Sequence, residues 1–90
     1  MSRREQQPKI PKDGKLTPRL AFALVLRERR KALGLSQTDL EDPDEIDASY
    51  ISKLELAQRQ VCLDSLIYLA GRLQMSPEEL VAEVMSRVRK

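Results

Sequence analysis

Residues 35–55 read LSQTDLEDPDEIDASYISKLE, and this stretch decides the fold because helix-starting and helix-breaking residues alternate along it. Ser36 is a favourable N-cap, since its hydroxyl can accept a hydrogen bond from a free backbone N–H of the first turn. Pro43 lacks a backbone N–H and holds the preceding residue away from helical geometry. The helix that starts after Ser36 should therefore stop near residues 41–42, and an acidic loop should follow it.

A second helix is predicted from residue 48 to about residue 56, with Asp47 as its N-cap. Ile51 and Leu54 fall on its inner face. The outer face is mostly small and polar, and consists of Ala48, Ser49, Ser52 and Lys53. Such a face fits the DNA major groove, which is roughly 12 Å wide. There a serine hydroxyl can bond to base edges, the lysine to guanine or phosphate, and the alanine methyl can touch a thymine methyl.

Two side chains near this face are further candidates for contact with DNA. Gln37 stands at the start of the first short helix, where its amide and the helix dipole can hold a backbone phosphate. Tyr50 either stacks on or bonds to DNA, or it packs against the first short helix. The sequence leaves both alternatives for Tyr50 open.

The flanking sequence predicts three more helices, at residues 18–33, 63–74 and 77–89. Thr17 and Ser76 each supply a capping hydroxyl before a Pro in the first turn, and Glu79 completes a capping box. Apolar residues recur at helical spacing, as in the stripe Leu63, Leu66, Ile67, Leu69, Ala70 and Leu73. Since no strand pattern or repeat is present, we expect an all-α fold of five short helices around one core.

The composition of the 90 residues limits the classes of function. The chain has no His and one Cys, which excludes a zinc finger, a disulfide framework and Ser-His or Cys-His catalytic pairs. We therefore expect neither an enzyme nor a metal site or cofactor. No run of about 20 apolar residues predicts a membrane span, and the basic N-terminus lacks the apolar stretch of a signal peptide. These features fit a cytoplasmic protein.

Charge is unevenly distributed along the chain. Residues 1–19 carry six basic and two acidic side chains, whereas residues 41–55 carry one basic and six acidic side chains. Pro8, Pro11 and Gly14 interrupt the first 16 residues, which we interpret as a flexible basic arm before a domain of residues 17–90. Either the arm faces a polyanion, or it is merely solvated and mobile.

From Phe22 to Val81, without a gap, the sequence resembles the Cro/repressor-type helix-turn-helix proteins, also called the XRE family. The residues that fit the family pattern are Leu26, Arg30, Gly34-Leu35-Ser36-Gln37, Leu40, Tyr50-Ile51-Ser52, Leu54-Glu55, Leu63, Leu66, Leu69-Ala70, Leu73 and Leu80. The run 22–30 also resembles the controller proteins of restriction–modification systems. The resemblance implies a lambda-repressor-like domain, with the helix-turn-helix at about residues 36–56, that binds double-stranded operator DNA.

The resemblance also implies roles for individual residues. Base-edge contacts would come from Ala48, Ser49, Ser52 and Lys53, and phosphate contacts from Gln37, Gln58, Arg59 and Gln60. An internal ion pair would join Arg30 to Glu55. This pair is physically reasonable, because a carboxylate at the C-terminal end of a helix opposes the helix dipole and needs a cation.

Four positions depart from the family pattern, three in the acidic loop and one after the second helix: Glu41, Asp44, Glu45 and Ala57. The family usually has a small residue, an apolar residue, Gly and Gly at these places. We expect the first short helix to be shortened and the loop 41–47 to bulge outward, with Ile46 as its only anchor. Its carboxylates would repel a phosphate backbone, and they favour instead a protein partner bound through this loop.

Two features near the C-terminus have alternative interpretations. The stripe Val81, Val84, Met85 and Val88 is predicted to be a homodimer seam, or it folds back onto other helices. A two-fold dimer would place two DNA-reading helices about one DNA turn apart, which suits a palindromic site. Cys62 is expected to be a partly buried structural residue, with a redox sensor as the alternative.

The leading hypothesis is a sequence-specific transcriptional regulator, a repressor-like protein that binds a palindromic operator as a homodimer. The alternative is a protein-binding adaptor or antitoxin-like module that has the same fold and little or no affinity for DNA.

Overall fold

Four α-helices and one 3₁₀ turn follow one another along residues 7–89, the part of the chain that this computed structural model describes. In chain order they are α1 (Pro18–Ala32), the 3₁₀ turn (Thr38–Leu40), α2 (Ala48–Glu55), α3 (Leu63–Arg72) and α4 (Pro77–Val88). Within residues 7–89 the β-type pairing is limited to one isolated bridge between Asp42 and Ile46. The predicted all-α class is confirmed, but the second of the five predicted helices is only a single 3₁₀ turn.

The reduction of the second helix follows from the residues after it. The turn closes through three backbone hydrogen bonds. The Asp39 N–H donates to the Ser36 oxygen at 3.2 Å, and the Leu40 and Glu41 N–H groups donate to the Gln37 and Thr38 oxygens, both at 3.1 Å. Glu41 then adopts an extended conformation, with φ −67° and ψ 145°. Pro43 stands two residues later and has no N–H with which to continue a helical ladder.

The four α-helices begin and end close to where their capping residues predict. Side-chain oxygens of Thr17, Asp47 and Ser76 accept hydrogen bonds from backbone N–H groups in the first turns of α1, α2 and α4. Glu79 Oε1 accepts a hydrogen bond from the Ser76 N–H at 2.8 Å and completes the predicted capping box. Gly34, with φ 72°, supplies the left-handed residue after α1.

One hydrophobic core lies between the helices. α1 packs along α4 and against α2, and α3 packs on α4. The largest fully buried side chains are Leu26, Leu40, Ile51, Leu54, Leu69, Leu73 and Leu80. Each contributes roughly 1.5–3 kcal/mol relative to an exposed side chain. None of the helices described here is long and apolar enough to cross a membrane.

Two ties fix the C-terminal half of α1. Arg87 on α4 donates two hydrogen bonds to the Glu28 carboxylate, at 2.8 and 2.7 Å. Arg29 donates from Nε to the Leu73 backbone oxygen at the end of α3, at 3.0 Å. The hydrogen bonds from Arg87 outweigh the opposite effect of partial burial, and they hold the pKa of the Glu28 carboxyl below its ordinary value.

The segment before α1 is irregular where the structure describes it, and the part of the predicted arm in residues 1–6 lies outside the described residues. Residues 7–16 contain one turn, closed by a 3.0 Å hydrogen bond from the Gly14 N–H to the Pro11 oxygen. Pro8 is buried, and Leu16 packs against the core. This stretch is thus in contact with the domain at two points, although it carries no helix.

Candidate nucleic-acid interface

α2 divides its side chains between the core and the surface. Ile51 and Leu54 are completely buried or nearly so, which fixes how the helix is rotated. On the other side Ser49 and Lys53 are exposed, and Ala48 and Ser52 are half-buried. The four residues predicted to touch bases thus lie at or near the surface of one eight-residue helix.

A buried ion pair connects α2 to α1. Arg30 donates from Nε to Glu55 Oε2 at 2.6 Å and from Nη2 to Oε1 at 2.9 Å. Both side chains are less than a tenth exposed. A third hydrogen bond, from Arg30 Nη1 to the Leu35 backbone oxygen at 2.9 Å, extends the link to the chain after α1. The guanidinium therefore satisfies a buried carboxylate that would be costly to leave unpaired.

Gln37 joins the same network. Its Nε2 donates to Glu55 Oε1 at 3.2 Å, and the side chain is half-buried. This bond uses one of the two amide N–H donors and leaves the carbonyl oxygen and the other N–H for a ligand. The expectation that a helix dipole assists Gln37 is corrected, because the segment after it is a three-residue 3₁₀ turn without a macrodipole of useful size.

The start of the 3₁₀ turn is held by a reciprocal pair of hydrogen bonds. The Asp39 N–H donates to Ser36 Oγ at 3.1 Å, and the Ser36 N–H donates to Asp39 Oδ2 at 2.8 Å. Hydrogen bonding of the Asp39 carboxylate with the Ser36 backbone N–H, and to a lesser extent with the Ser36 side chain, lowers the pKa of Asp39. The Ser36 hydroxyl therefore accepts a backbone hydrogen bond at the start of the turn, but the residue in the N-cap position is Gln37, whose side chain makes no capping bond.

The acidic loop 41–47 is more firmly anchored than the sequence suggested. Ile46 is buried and exchanges backbone hydrogen bonds of 2.9 and 3.0 Å with Asp42. In addition, Glu41 Oε2 accepts a hydrogen bond from the Ala48 N–H at 2.8 Å, and the Glu41 backbone oxygen accepts one from the Tyr68 hydroxyl at 2.7 Å. The expectation that Ile46 is the only anchor is therefore wrong.

Glu41 thus has a structural role at the start of α2 that sequence reasoning missed. Its carboxylate reaches the free N–H of Ala48, while Asp47 caps the N–H of Tyr50 at 2.8 Å, so two carboxylates serve the same helix start. The available signal was a carboxylate placed seven residues before a capped helix start, which is too remote for local capping rules.

A wide acidic hollow is left on the outside of the loop, with Arg72 as the cation that lines it among the described residues.

The loop after α2 carries the three residues predicted to contact phosphate. Gln58, Arg59 and Gln60 are all exposed. The loop turns through Ala57, whose φ of 59° lies in the left-handed region that Gly usually occupies. The Arg59 guanidinium lies 6.0 Å from the centre of the Tyr50 ring. Tyr50 is half-buried and packs against the core, so its ring supports Arg59 from the protein side.

Cys62 differs from the expectation of a partly buried residue, because it is exposed. Its sulfur lies 3.1 Å from the Ser65 hydroxyl. Hydrogen bonding with Ser65, the largest influence, lowers the pKa of the thiol. In residues 7–89 no group of three or more His, Cys, Asp or Glu side chains is arranged to hold a metal ion.

The predicted dimer stripe is divided by the structure. Val84 is 8% exposed and belongs to the core, and Val88 packs against it, so for Val84 the seam expectation is corrected. Val81 is 43% exposed, and Met85 lines a groove with Phe22, Val61 and Leu66. The predicted core stripe of α3 is also corrected, because Leu63 is 71% and Ile67 is 49% exposed.

A short helical turn, an anchored loop and a second helix with an exposed polar face define a class of protein, the helix-turn-helix DNA-binding proteins. The helix-turn-helix family model HTH_3 matches residues 26–80, and the chain belongs to this XRE-type family. It is a DNA-binding transcriptional regulator. No curated protein matches the chain significantly.

Two solved structures illustrate the likeness. The crystal structure of the clp gene regulator ClgR from Corynebacterium glutamicum superimposes with a TM-score of 0.74 at 21% identity, covering 83% of this chain and 80% of that one. The restriction-modification controller protein C.AhdI from Aeromonas hydrophila superimposes with a TM-score of 0.60 at 42% identity, covering 66% of this chain and 86% of that one. The first likeness concerns the fold alone.

Proposed function

We propose that the protein binds a specific, two-fold symmetric DNA site as a homodimer and thereby controls transcription. The observation that carries this proposal is the exposed Ser49 and Lys53 face of α2, on a helix whose position is fixed by the Arg30–Glu55 pair. A rigidly held helix is needed because hydrogen bonds to base edges tolerate little misplacement.

In this proposal α2 lies in the major groove. Lys53, Ser49, Ser52 and Ala48 read base edges, with Tyr50 beside them. Gln37 and the residues Gln58, Arg59 and Gln60 hold phosphates on either side of the groove. Glu55 fixes Gln37 through the 3.2 Å hydrogen bond, so the same ion pair would orient both a base-reading helix and a phosphate contact.

The homodimer part of the proposal rests on an exposed apolar face. Leu63 and Ile67 are one helical turn apart on α3, and Val81 and Met85 are one turn apart on α4. We name these four residues the α3/α4 face. Leu63, Ile67 and Val81 are exposed, and Met85 is half-buried. Exposed large apolar side chains are typical of an interface, and a second copy of the chain offers the same face in return.

In vitro selection from a random DNA pool tests the proposed specificity and symmetry together. The expected result is a palindromic consensus whose half-sites are spaced by about one DNA turn, roughly 10 base pairs. Enrichment of a single half-site would contradict the dimer, and no enrichment at all would contradict specific binding.

Lys53→Ala tests the role of α2 directly. If the ammonium contacts a base, the variant should lose about 1–3 kcal/mol on the selected site and little on random DNA. Lys31→Ala, a change of the same charge at an exposed position of α1, is the control. Equal losses on both DNAs would make Lys53 a phosphate contact instead.

The likeness to C.AhdI supports a controller role, since its identity of 42% exceeds the 21% shared with ClgR.

The acidic hollow outside loop 41–47 favours a second candidate, an adaptor that binds a basic protein segment. Salt titration on random duplex distinguishes the two: a DNA binder loses affinity linearly in log salt, through counterion release, whereas an adaptor shows no binding even at low salt.

A further inference from the structure

The first described residues of the chain lie against the end of α2. Pro8 is buried, and with Lys9 it lines a hollow whose other side is formed by Leu56, Ala57 and Gln58. Proline has few conformations to lose on ordering, which makes it a suitable anchor for an otherwise irregular segment. The segment before α1 is therefore positioned next to the loop that follows α2.

Arg19, in the first turn of α1, connects this hollow to a second one. It lines the first hollow with Lys9 and Gln58, and the second with Arg59 and Gln60. Lys9, Arg19 and Arg59 are all exposed. They thus follow one another along a single stretch of surface, which we name the basic seam.

The described residues around the basic seam do not neutralise it. Among the described residues that line the two hollows there is no Asp or Glu. By contrast, Arg30 and Arg87 each engage a carboxylate in the same domain. Three cations gathered beside exposed amide side chains repel one another in the free protein, and a polyanion relieves that repulsion.

We propose that Lys9 and Arg19 act with Arg59 as a phosphate-binding seam for the DNA backbone that flanks the site contacted by α2. The proposal rests on the proposed function and adds to it two cations that lie outside the helix-turn-helix. The anchored Pro8 holds Lys9 beside the loop after α2. DNA in the groove of α2 consequently passes the seam at one end of the site, and the seam contributes affinity without sequence preference.

The test compares two double variants of equal charge, Lys9→Ala/Arg19→Ala and Lys31→Ala/Arg89→Ala. The control residues are also exposed, but Lys31 lies at the opposite end of the 15-residue α1, and Arg89 follows the end of α4 that pairs with Glu28. Binding to a 30-base-pair duplex of random sequence is measured over a range of salt concentrations. Circular dichroism of both variants verifies that the helices are intact.

The seam variant should show a salt slope shallower by about 1.8, because each lost phosphate contact reduces the slope by about 0.9. The control variant should keep the slope of the unmodified protein. Equal slopes in the two variants would overturn the seam, since net charge alone would then explain the change. If the unmodified protein shows no salt-dependent binding, the proposed function itself fails, and that outcome is distinct from failure of the seam.

Discussion

Ala57 occupies a backbone conformation that costs free energy in any residue with a side chain. At φ 59° its Cβ crowds the neighbouring carbonyl, which costs about 1–2 kcal/mol. The conformation is nevertheless required, because the Ala57 and Gln58 N–H groups bond back to the Leu54 and Lys53 oxygens at 3.1 and 2.9 Å. These bonds end α2 and direct the chain into the loop 58–60.

Ala57→Gly should therefore stabilise the protein by up to about 1 kcal/mol, since relief of the strain exceeds the extra freedom of Gly in the unfolded chain. Gly34→Ala is the matched control. Its φ of 72° predicts a loss of about 1 kcal/mol. Urea unfolding followed by circular dichroism measures both, and destabilisation by Ala57→Gly would show that its methyl group matters more than the strain.

The Arg30–Glu55 pair predicts an asymmetry between single and double substitutions. Arg30→Met leaves a buried carboxylate without its cation and should reduce the free energy of unfolding by about 3–5 kcal/mol. Arg30→Met/Glu55→Met removes both charges and should be less destabilising than Arg30→Met alone. Thermal and urea unfolding provide the comparison. A double variant less stable than Arg30→Met would refute the desolvation argument.

At the scale of elements, the start of α2 depends on two carboxylates. Glu41→Ala removes the hydrogen bond to the Ala48 N–H and should cost about 1 kcal/mol, the usual value of a lost helix cap. Glu45→Ala removes an exposed carboxylate from the same loop and should change stability by less than about 0.5 kcal/mol. Equal melting temperatures for the two variants would mean that the Glu41 contact is not made in solution.

Three carboxyl groups that are hydrogen-bonded in the folded protein predict how stability depends on pH. Arg87 lowers the pKa of Glu28, and hydrogen bonds with Ser36 and Ser76 lower those of Asp39 and Glu79. A carboxyl whose pKa is lowered on folding stabilises the native state above its unfolded pKa of about 4, and this stabilisation is lost as pH falls through the folded value. Unfolding free energy should therefore decrease below about pH 5.

The contribution of Glu79 to this pH dependence can be isolated. Glu79→Gln should flatten the acid side of the stability curve, while Glu78→Gln, in the same turn of α4, should alter it less. Unfolding by urea at a series of pH values between 3 and 6 gives both slopes. If stability depends on pH in the same way in both variants, the Glu79 carboxylate of the capping box does not contribute to the loss of stability in acid.

At the scale of the whole molecule, local signals in the sequence predicted the helices, whereas the long-range Arg30–Glu55 pair was predicted only through the family resemblance. Caps and Pro positions gave α1, α2 and α4 nearly to the residue, since those signals act within one turn. No local pattern specifies the two hydrogen bonds that hold Glu41. The Tyr68 hydroxyl, 27 positions away, donates to its backbone oxygen, and the Ala48 N–H, 7 positions away, donates to its carboxylate. The DNA-contact residues stay predictions.

The exposure of one apolar side of α3 likewise could not be predicted from local sequence signals. Leu63 and Ile67 fit the apolar periodicity of a core stripe, yet they are exposed, because α4 covers only part of the apolar arc of α3. Periodicity gives the apolar side of a helix but not how many neighbours cover it. α3 and α4 therefore carry more apolar side chains than the core of one chain buries. The remaining ones form the α3/α4 face, which is available for contact with a second copy.

If the α3/α4 face holds two copies together, Leu63→Ser/Ile67→Ser should raise the dimer dissociation constant. Losing burial of about 2 kcal/mol for each side chain on both copies amounts to about 8 kcal/mol, which predicts an increase of roughly five to six orders of magnitude. The melting temperature of the monomer should change little, since both side chains are exposed in the isolated chain.

Ile10→Ser is the control for that double variant, because Ile10 is also a large apolar residue, 56% exposed, but lies before α1. Sedimentation equilibrium over a range of concentrations gives the dissociation constants of all three proteins. The same variants should be compared on the palindromic site and on a half-site. A dimer that uses this face predicts that Leu63→Ser/Ile67→Ser loses affinity for the palindrome but not for the half-site, since each α2 surface is unaltered. A palindrome affinity equal to that of the unmodified protein would place the two-fold contact on another part of the molecule.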